Sequence, residues 1–336
     1  MSHLELENLQ VMEMDAGTVF SGQPSGRMIQ GFAAPCAYTP DPDPDYQFHE
    51  TMREIIVWFM QQADPLYVFG PTGSGKTSLI RQLAAKLNYP VLDVTGHARL
   101  EFTDLVGHLS LEEGRMTFQY GPLALALKFG GLFLLNELDL LDPATLSGLN
   151  GILDGDPLCI PENSGEVIKP HPLFRFVATA NTNGGSDETG LYQGTLRQNL
   201  AFMDRFWLCE VDYPAKEAEL RLLARTASLL PEAVRETMVE FAGEVRRLFR
   251  GFGDTQTPLG ESIEVTFSTR TLLRWADLTL RFQPLAHQGV QPVSYALDRA
   301  LGFRATRETR SMLHELAQRM FPSADAPTGA QNQDVS

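Results

Sequence analysis

Eight consecutive residues carry the most specific chemistry in the chain. Gly70-Pro71-Thr72-Gly73-Ser74-Gly75-Lys76-Thr77 meets G-x-x-x-x-G-K-[ST] at every fixed position, and Ser78 follows it. Glycines let a backbone curl until successive N–H groups point at phosphate oxygens, and a helix that starts there adds its positive end. Lys76 can then reach the β- and γ-phosphates of a nucleoside triphosphate, with ATP as the default base. The Thr77 hydroxyl can take one position on Mg²⁺. A glycine-rich turn could match by chance, but here the apolar run Leu66-Tyr67-Val68-Phe69 precedes the loop and a helical pattern over 78–87 follows it.

A second group of candidates follows the glycine pair Gly130-Gly131. The run Leu132-Phe133-Leu134-Leu135 ends in Asn136-Glu137-Leu138-Asp139. In an ATPase with such a loop, the neighbouring strand delivers an Asp to the magnesium shell and often a Glu that polarises the attacking water. Glu137 stands in the water-activating position, but the usual Asp is Asn136. An amide can hold a magnesium-bound water through its carbonyl oxygen, yet it brings no charge. Two readings follow: a tolerated variant in which Glu137 still catalyses at a reduced rate, or a site that binds ATP mainly as a conformational switch. The other elements present favour the first. A solvated loop carrying Glu137 and Asp139 is the weak alternative after so apolar a strand. The next apolar run closes with Val177-Ala178-Thr179-Ala180-Asn181, where the amide of Asn181 can sit between the γ-phosphate and the attacking water.

Elements must exist to hold these side chains. Short apolar runs at 66–69, 90–94, 132–135, 174–178 and 206–211 alternate with helical stretches at 78–87, 123–129 and 144–153. That alternation predicts an α/β fold with a parallel five-stranded sheet flanked by helices. After Pro214 the pattern becomes helix upon helix to about residue 320, with one β-like interruption at Ile263-Glu264-Val265-Thr266-Phe267. The Pro/Asp run Pro40-Asp41-Pro42-Asp43-Pro44-Asp45 reads as an extended linker. The expected organisation is an N-terminal extension and linker (1–45), an α/β nucleotide-binding core (46–213), a helical lid (214–321) and a disordered tail (322–336).

Composition restricts the partners. A net charge of −15, from 27 basic and 42 acidic residues, argues against a general grip on nucleic acid, because such affinity depends on Lys and Arg neutralising phosphates. No apolar stretch approaches the length of a membrane span, and the acidic start of the chain is unlike a secretory signal. Cys36, Cys159 and Cys209 form no CxxC pair and read as reduced packing residues of a cytoplasmic chain. The histidines are scattered, so no His or Cys cluster is expected to hold a metal or a porphyrin.

Taken together, Asp45-Tyr46-Gln47-Phe48, the glycine-rich loop, Asp104-Leu105-Val106-Gly107, Ile168-Lys169-Pro170-His171-Pro172, Ala178-Thr179-Ala180-Asn181-Thr182, Gly190-Leu191-Tyr192-Gln193-Gly194-Thr195 and Met203-Asp204-Arg205 resemble the MoxR/dynein-related group of AAA+ ATPases. Within it the chain most resembles the CobS-type ATPase subunits of aerobic cobaltochelatase, over about residues 43–280. The resemblance implies a P-loop AAA+ core with a C-terminal helical lid, ATP and Mg²⁺ as ligands, and a homo-oligomer in the form of a hexameric ring with nucleotide between subunits. It implies Asn181 as sensor 1, Arg205 as an arginine finger acting on a neighbour, and Arg270 as the sensor-2 arginine. Magnesium would be held by Thr77 and, through water, by Asn136. The alternative for Arg205 is a surface residue paired to Asp204. Two hairpin-like insertions, at 105–123 and 158–169, would point toward the pore or a client.

Four functions compete. The first is an ATP-driven remodeller of a protein complex, with a VWA-domain protein as partner. The second is the ATPase subunit of a cobalt or magnesium chelatase. A DNA-directed motor and an ATP-gated scaffold, the latter suggested by Asn136, are the minor readings.

Overall fold

The computed structural model describes residues 3–46, 48, 50–61, 64–112, 114–185, 194–250 and 263–321. The chain divides between Asp212 and Tyr213 into two units. In the first, the elements are α1 (His3–Glu7), β1 (Val11–Asp15), α2 (Ala16–Ser21), β2 (Met28–Phe32), α3 (Met52–Gln61), β3 (Leu66–Phe69), α4 (Lys76–Lys86), β4 (Val91–Thr95), α5 (Phe102–Val106), β5 (Gly107–Glu112), β6 (Arg115–Tyr120), α6 (Pro122–Phe129), β7 (Leu132–Asn136), α7 (Pro143–Ser147), α8 (Asn150–Leu153), β8 (Leu158–Ile160), β9 (Glu166–Ile168), β10 (Arg175–Ala180), α9 (Leu200–Met203) and β11 (Trp207–Glu210).

All five apolar runs become strands of one sheet, in the order β11-β3-β10-β7-β4, with every pairing parallel. Helices cover both faces, so a central strand has no solvent side. Every residue of β7 and β10 is buried, which is why these strands read as unbroken apolar runs rather than alternating ones. Side chains nevertheless alternate between two cores. Tyr67, Phe133, Leu135 and Phe176 enter one, and Leu66, Val68, Leu132, Leu134 and Val177 enter the other. The register Val177↔Leu66 and Phe176↔Phe133 brings the C-terminal ends of β3, β7 and β10 to one edge, the edge where open α/β sheets bind ligands.

Three sequence expectations change. The helix expected over 144–153 splits into α7 and α8 at Gly148, where an added Cβ would lie 2.9 Å from the Phe102 ring. The chain tightens there through i→i+3 bonds, Gly148 N–H to Thr145 O and Leu149 N–H to Leu146 O. The residues before the core do not stand apart from it. β1 and β2 pair as an antiparallel hairpin, and Ile29 and Phe32 join the same core as Trp58, Phe59, Leu83 and Tyr89. The Pro/Asp run forms no helix or strand, but it is tied to α4 by Asp43 N–H to Gln82 Oε1 at 2.8 Å and Gln82 Nε2 to Asp41 O at 3.1 Å.

The third change falls in the second unit, built from α10 (Lys216–Thr226), α11 (Glu232–Phe249), α12 (Thr269–Arg281), α13 (Pro292–Ala300) and α14 (Arg307–Met320). Residues 263–267 form no strand, and the described residues of this unit hold no strand with which they could pair. Instead Ile263 and Phe267 are buried, and Phe267 stacks edge-on with Phe241 and Trp275 in the helical core. The Phe267 carbonyl accepts a bond from Arg246 Nε at 2.6 Å, and the same guanidinium makes a buried two-pronged pair with Glu219. No helix among the described residues is long and apolar enough to cross a membrane. The expected tail, 322–336, lies outside the described residues.

Candidate functional site

The glycine-rich loop leaves the C-terminal end of β3 and runs into the first turn of α4. Gly70, Gly73 and Gly75 have φ of 146°, 72° and 95°, backbone that a side chain strains. Gly70 is also crowded, since a Cβ would stand 2.1 Å from the Val211 carbonyl oxygen beyond β11. The motif glycines are therefore required by the turn itself. Gly75 caps α4 with no side chain over its free amides, so the positive end of that helix faces the loop.

Lys76 is buried at 8% exposure. Its ammonium donates to Gly70 O at 2.7 Å, Pro71 O at 2.9 Å and Asn181 Oδ1 at 3.2 Å. Thr77 Oγ1 donates to Asn136 Oδ1 at 2.7 Å, and Thr179 Oγ1 donates to the same oxygen at 3.1 Å. Residues from the ends of β3, β7 and β10 thus converge on one small polar cluster. Ser74 is buried with its hydroxyl unbonded among the described residues, a spare donor inside the loop. Thr72 and Ser78 are exposed. A curled loop of amides, a buried ammonium, a spare hydroxyl and an uncrossed helix end fit a triphosphate. The Thr77 hydroxyl beside the Asn136 oxygen is an all-oxygen pair of the kind Mg²⁺ accepts.

Glu137, next to Asn136 in the chain, is exposed and adopts φ 55°, ψ 44°, the left-handed region. That conformation turns the chain sharply out of β7 into a 3₁₀ turn, Leu138–Leu140. Asp139 in that turn is fully buried. Its Oδ2 accepts from Asn181 N–H at 2.9 Å, Thr182 N–H at 3.2 Å and Thr182 Oγ1 at 3.4 Å. The Tyr67 hydroxyl donates to the Thr182 carbonyl at 3.0 Å. Burial, and secondarily the neighbouring Asp139, pushes the Tyr67 phenol above its ordinary range.

Arg205 lies elsewhere. It precedes β11, whose first residue Trp207 pairs with Leu66 at the start of β3. It is therefore at the sheet edge opposite Lys76. Its partner is Asp154, not Asp204: Nε and Nη2 bond the two Asp154 oxygens at 2.8 and 2.9 Å. Hydrogen bonding to Asp154 raises its pKa, with Asp204 adding only through charge. Both residues line a cavity of about 920 Å³ that also includes His171 and Arg175. Arg270 is exposed in the first turn of α12 in the second unit.

Sequence reasoning missed Thr179, Asp139 and Thr182 as members of the cluster. Thr179 left a trace, a hydroxyl inside an otherwise apolar buried strand. Asp139 left an acid immediately after such a strand. Of the motif 190–195, residues 190–193 lie outside the described residues, as does Gln47.

Residues 65–206 match the AAA domain of the dynein-related subfamily, and residues 219–320 match the CbbQ/NirQ/NorQ C-terminal family. The chain is 31% identical to the aerobic cobaltochelatase subunit CobS of Sinorhizobium sp, over 82% of each chain. It is 33% identical to midasin of Dictyostelium discoideum over 73% of this chain but only 4% of that one. An uncharacterised protein of Staphylococcus epidermidis is 30% identical over 75% of this chain and 88% of its own. Among solved structures, RuvB of Thermotoga maritima superposes with a TM-score of 0.41 at 16% identity, covering 76% of this chain and 62% of that one.

Proposed function

Since the chain belongs to the dynein-related, MoxR/CobS-like AAA+ ATPases, with a CbbQ/NirQ/NorQ-type C-terminal domain, we propose that it hydrolyses ATP as a ring and uses the cycle to remodel or activate a partner protein complex. The observation that carries this reading is the convergence at the C-terminal edge of the sheet of two hydrogen-bonded groups, Lys76 with Asn181 and Thr77 with Asn136 and Thr179, brought together by the adjacent Lys76 and Thr77.

In this reading the loop amides and Lys76 hold the β- and γ-phosphates, and Asn181 aligns the water that Glu137 polarises. Mg²⁺, on Thr77 and through water on Asn136, would offset charge that develops on the phosphate oxygens. Arg205 sits at the far end of the sheet from its own Lys76, so its guanidinium serves a phosphate only on another copy of the chain. That geometry supports a homo-oligomer, hexameric by family likeness, with Arg205 stabilising the transferring group across an interface. Arg270 would contact nucleotide from the helical lid. The missing charge at Asn136 predicts slow turnover. Phosphate release by purified protein, with and without Mg²⁺, tests the reading against Lys76→Ala. Release that needs both Mg²⁺ and Lys76 supports it, and none above the Lys76→Ala level, even with partner present, would leave an ATP-gated scaffold.

A second reading rests on the 31% identity to CobS over 82% of both chains: an ATPase subunit of a metal chelatase, with metal insertion carried by other subunits. Affinity purification separates the two. A VWA-domain protein without a large chelatase subunit supports remodelling, whereas co-elution of a large chelatase subunit supports chelation.

A further inference from the structure

We propose that Asp139 is a positioning residue for hydrolysis, holding the Asn181–Thr182 peptide so that the Asn181 amide is presented to the Lys76 ammonium. The proposal rests on the ATPase reading above. Asp139 itself touches no candidate phosphate-binding group. It acts on the backbone just past the end of the neighbouring strand β10, accepting the amide protons of two successive residues and the hydroxyl of the second on a single oxygen, Oδ2.

The same segment is anchored one peptide further along as well. The Tyr67 hydroxyl, rising from β3, donates to the Thr182 carbonyl at 3.0 Å. The Asn181–Thr182 segment is thus held by two buried side chains, Asp139 from the turn after β7 and Tyr67 from β3, and the Asn181 side chain is left to meet Lys76 at 3.2 Å. Asp139 also shares its turn with Glu137, the candidate water activator, and its carbonyl accepts from Leu196 N–H at 2.7 Å. One short turn therefore sets the spacing between the group that would polarise water and the group that would align it.

Stability alone does not account for this acid. Asp139 is fully buried, and its Oδ1 has no hydrogen-bond partner among the described residues. A buried carboxyl oxygen without a partner carries a desolvation cost, which the three bonds accepted by Oδ2 must offset. Its retention at a point that controls Asn181 matches a catalytic demand for placement, where a displacement of about an ångström costs about a hundredfold in rate.

The test uses the full chain with Asp139→Asn, Asn181→Ala and the double variant. Turnover is measured by phosphate release, nucleotide affinity by titration with a fluorescent ATP analogue, and folding by thermal unfolding. Asp139→Asn is expected to lower kcat by about ten- to a hundredfold while the Kd for the analogue stays within about threefold. In the Asn181→Ala background the same change should lower kcat no further, because a residue acting through another is silent once that other is gone. Equal factors in both backgrounds, or a kcat for Asp139→Asn within twofold of wild type, would overturn the proposal. Should Asp139→Asn not fold, Tyr67→Phe removes the other anchor. A drop in kcat that vanishes in the Asn181→Ala background supports the proposal, and an unchanged kcat overturns it. A wild-type protein that hydrolyses no more ATP than Lys76→Ala defeats the ATPase reading and this proposal with it, whereas active wild type with additive variants defeats the proposal alone.

Discussion

At position 136 a carboxylate would place a negative charge beside the Thr77 hydroxyl, whereas the amide there only accepts two hydroxyls. Restoring the charge with Asn136→Asp should tighten the Mg²⁺ requirement by about tenfold, since an opposite charge within a few ångström moves an ionic equilibrium by roughly one to three decades. Phosphate release across graded Mg²⁺ reads this as a lower half-saturation concentration. Glu137 gives a paired expectation. Glu137→Gln should retain ATP binding and lose turnover, and retained hydrolysis would show that another residue activates the water. Because Glu137 sits at φ 55°, Glu137→Gly should also lose turnover while raising stability by about 1 kcal/mol, seen as a higher midpoint in denaturant. The loop and Glu137 were legible in the sequence because their chemistry is local, one residue after the next. Thr179 and Asp139 were not, because they matter only once β7 and β10 lie side by side, and a single sequence does not state which strands are neighbours.

Between the elements, the two hairpins are joined by a compact polar knot. Lys128 of α6 donates to Glu166 Oε1 and to the Tyr120 hydroxyl, both at 2.8 Å, and the Tyr120 hydroxyl donates to Glu166 Oε2 at 2.5 Å. Asn163, in the turn between β8 and β9, donates to Glu166 at 2.6 Å. Burial alone would raise the Glu166 pKa, but bonds from Lys128, Tyr120 and Asn163 outweigh it and hold the carboxyl below its usual 4.5. A carboxyl depressed on folding stabilises the fold above its unfolded pKa and loses that contribution as pH falls through the folded value. Wild type should therefore melt higher than Glu166→Gln at pH 6, and the gap should close as pH drops below about 4.5. A gap independent of pH would mean that the knot is held by packing rather than by charge. Both hairpins were visible in the sequence as strand-like runs around Gly or Asn turns, yet the knot binding them was not, since Tyr120 and Glu166 are far apart along the chain. The failed strand at 263–267 teaches the converse. Alternating Ile263, Val265 and Phe267 look like a strand, but a ladder needs a partner, and instead Phe267 enters the helical core with Val265 packed against it, while Ile263 is buried.

For the molecule as a whole, Lys76 follows the C-terminal end of β3 while Arg205 precedes β11 at the opposite end of the sheet, so the proposed role of Arg205 in hydrolysis requires a second copy of the chain. Arg205→Ala should leave nucleotide affinity normal and abolish ring turnover. Mixed with Lys76→Ala protein, itself inactive, it should regain part of the rate, because a mixed interface can join an intact loop to an intact guanidinium. No recovery at any mixing ratio would place Arg205 outside the reaction. A different whole-molecule feature is the leading hairpin. Phe32 N–H bonds the Leu87 carbonyl just past the C-terminal end of α4 at 2.9 Å, Asn88 Nδ2 returns a bond to Phe32 O at 3.1 Å, and Phe32 and Phe59 both set their rings against Tyr89. The helix that opens with the glycine-rich loop is therefore anchored at its far end by residues well upstream of position 65, where the likeness to the AAA domain begins. Trimming the chain to that likeness would strip the cover from Val68, Leu83 and Tyr89, each now fully shielded. Such a fragment should precipitate rather than run a reduced cycle, so the smallest autonomous engine begins well before its own catalytic signature.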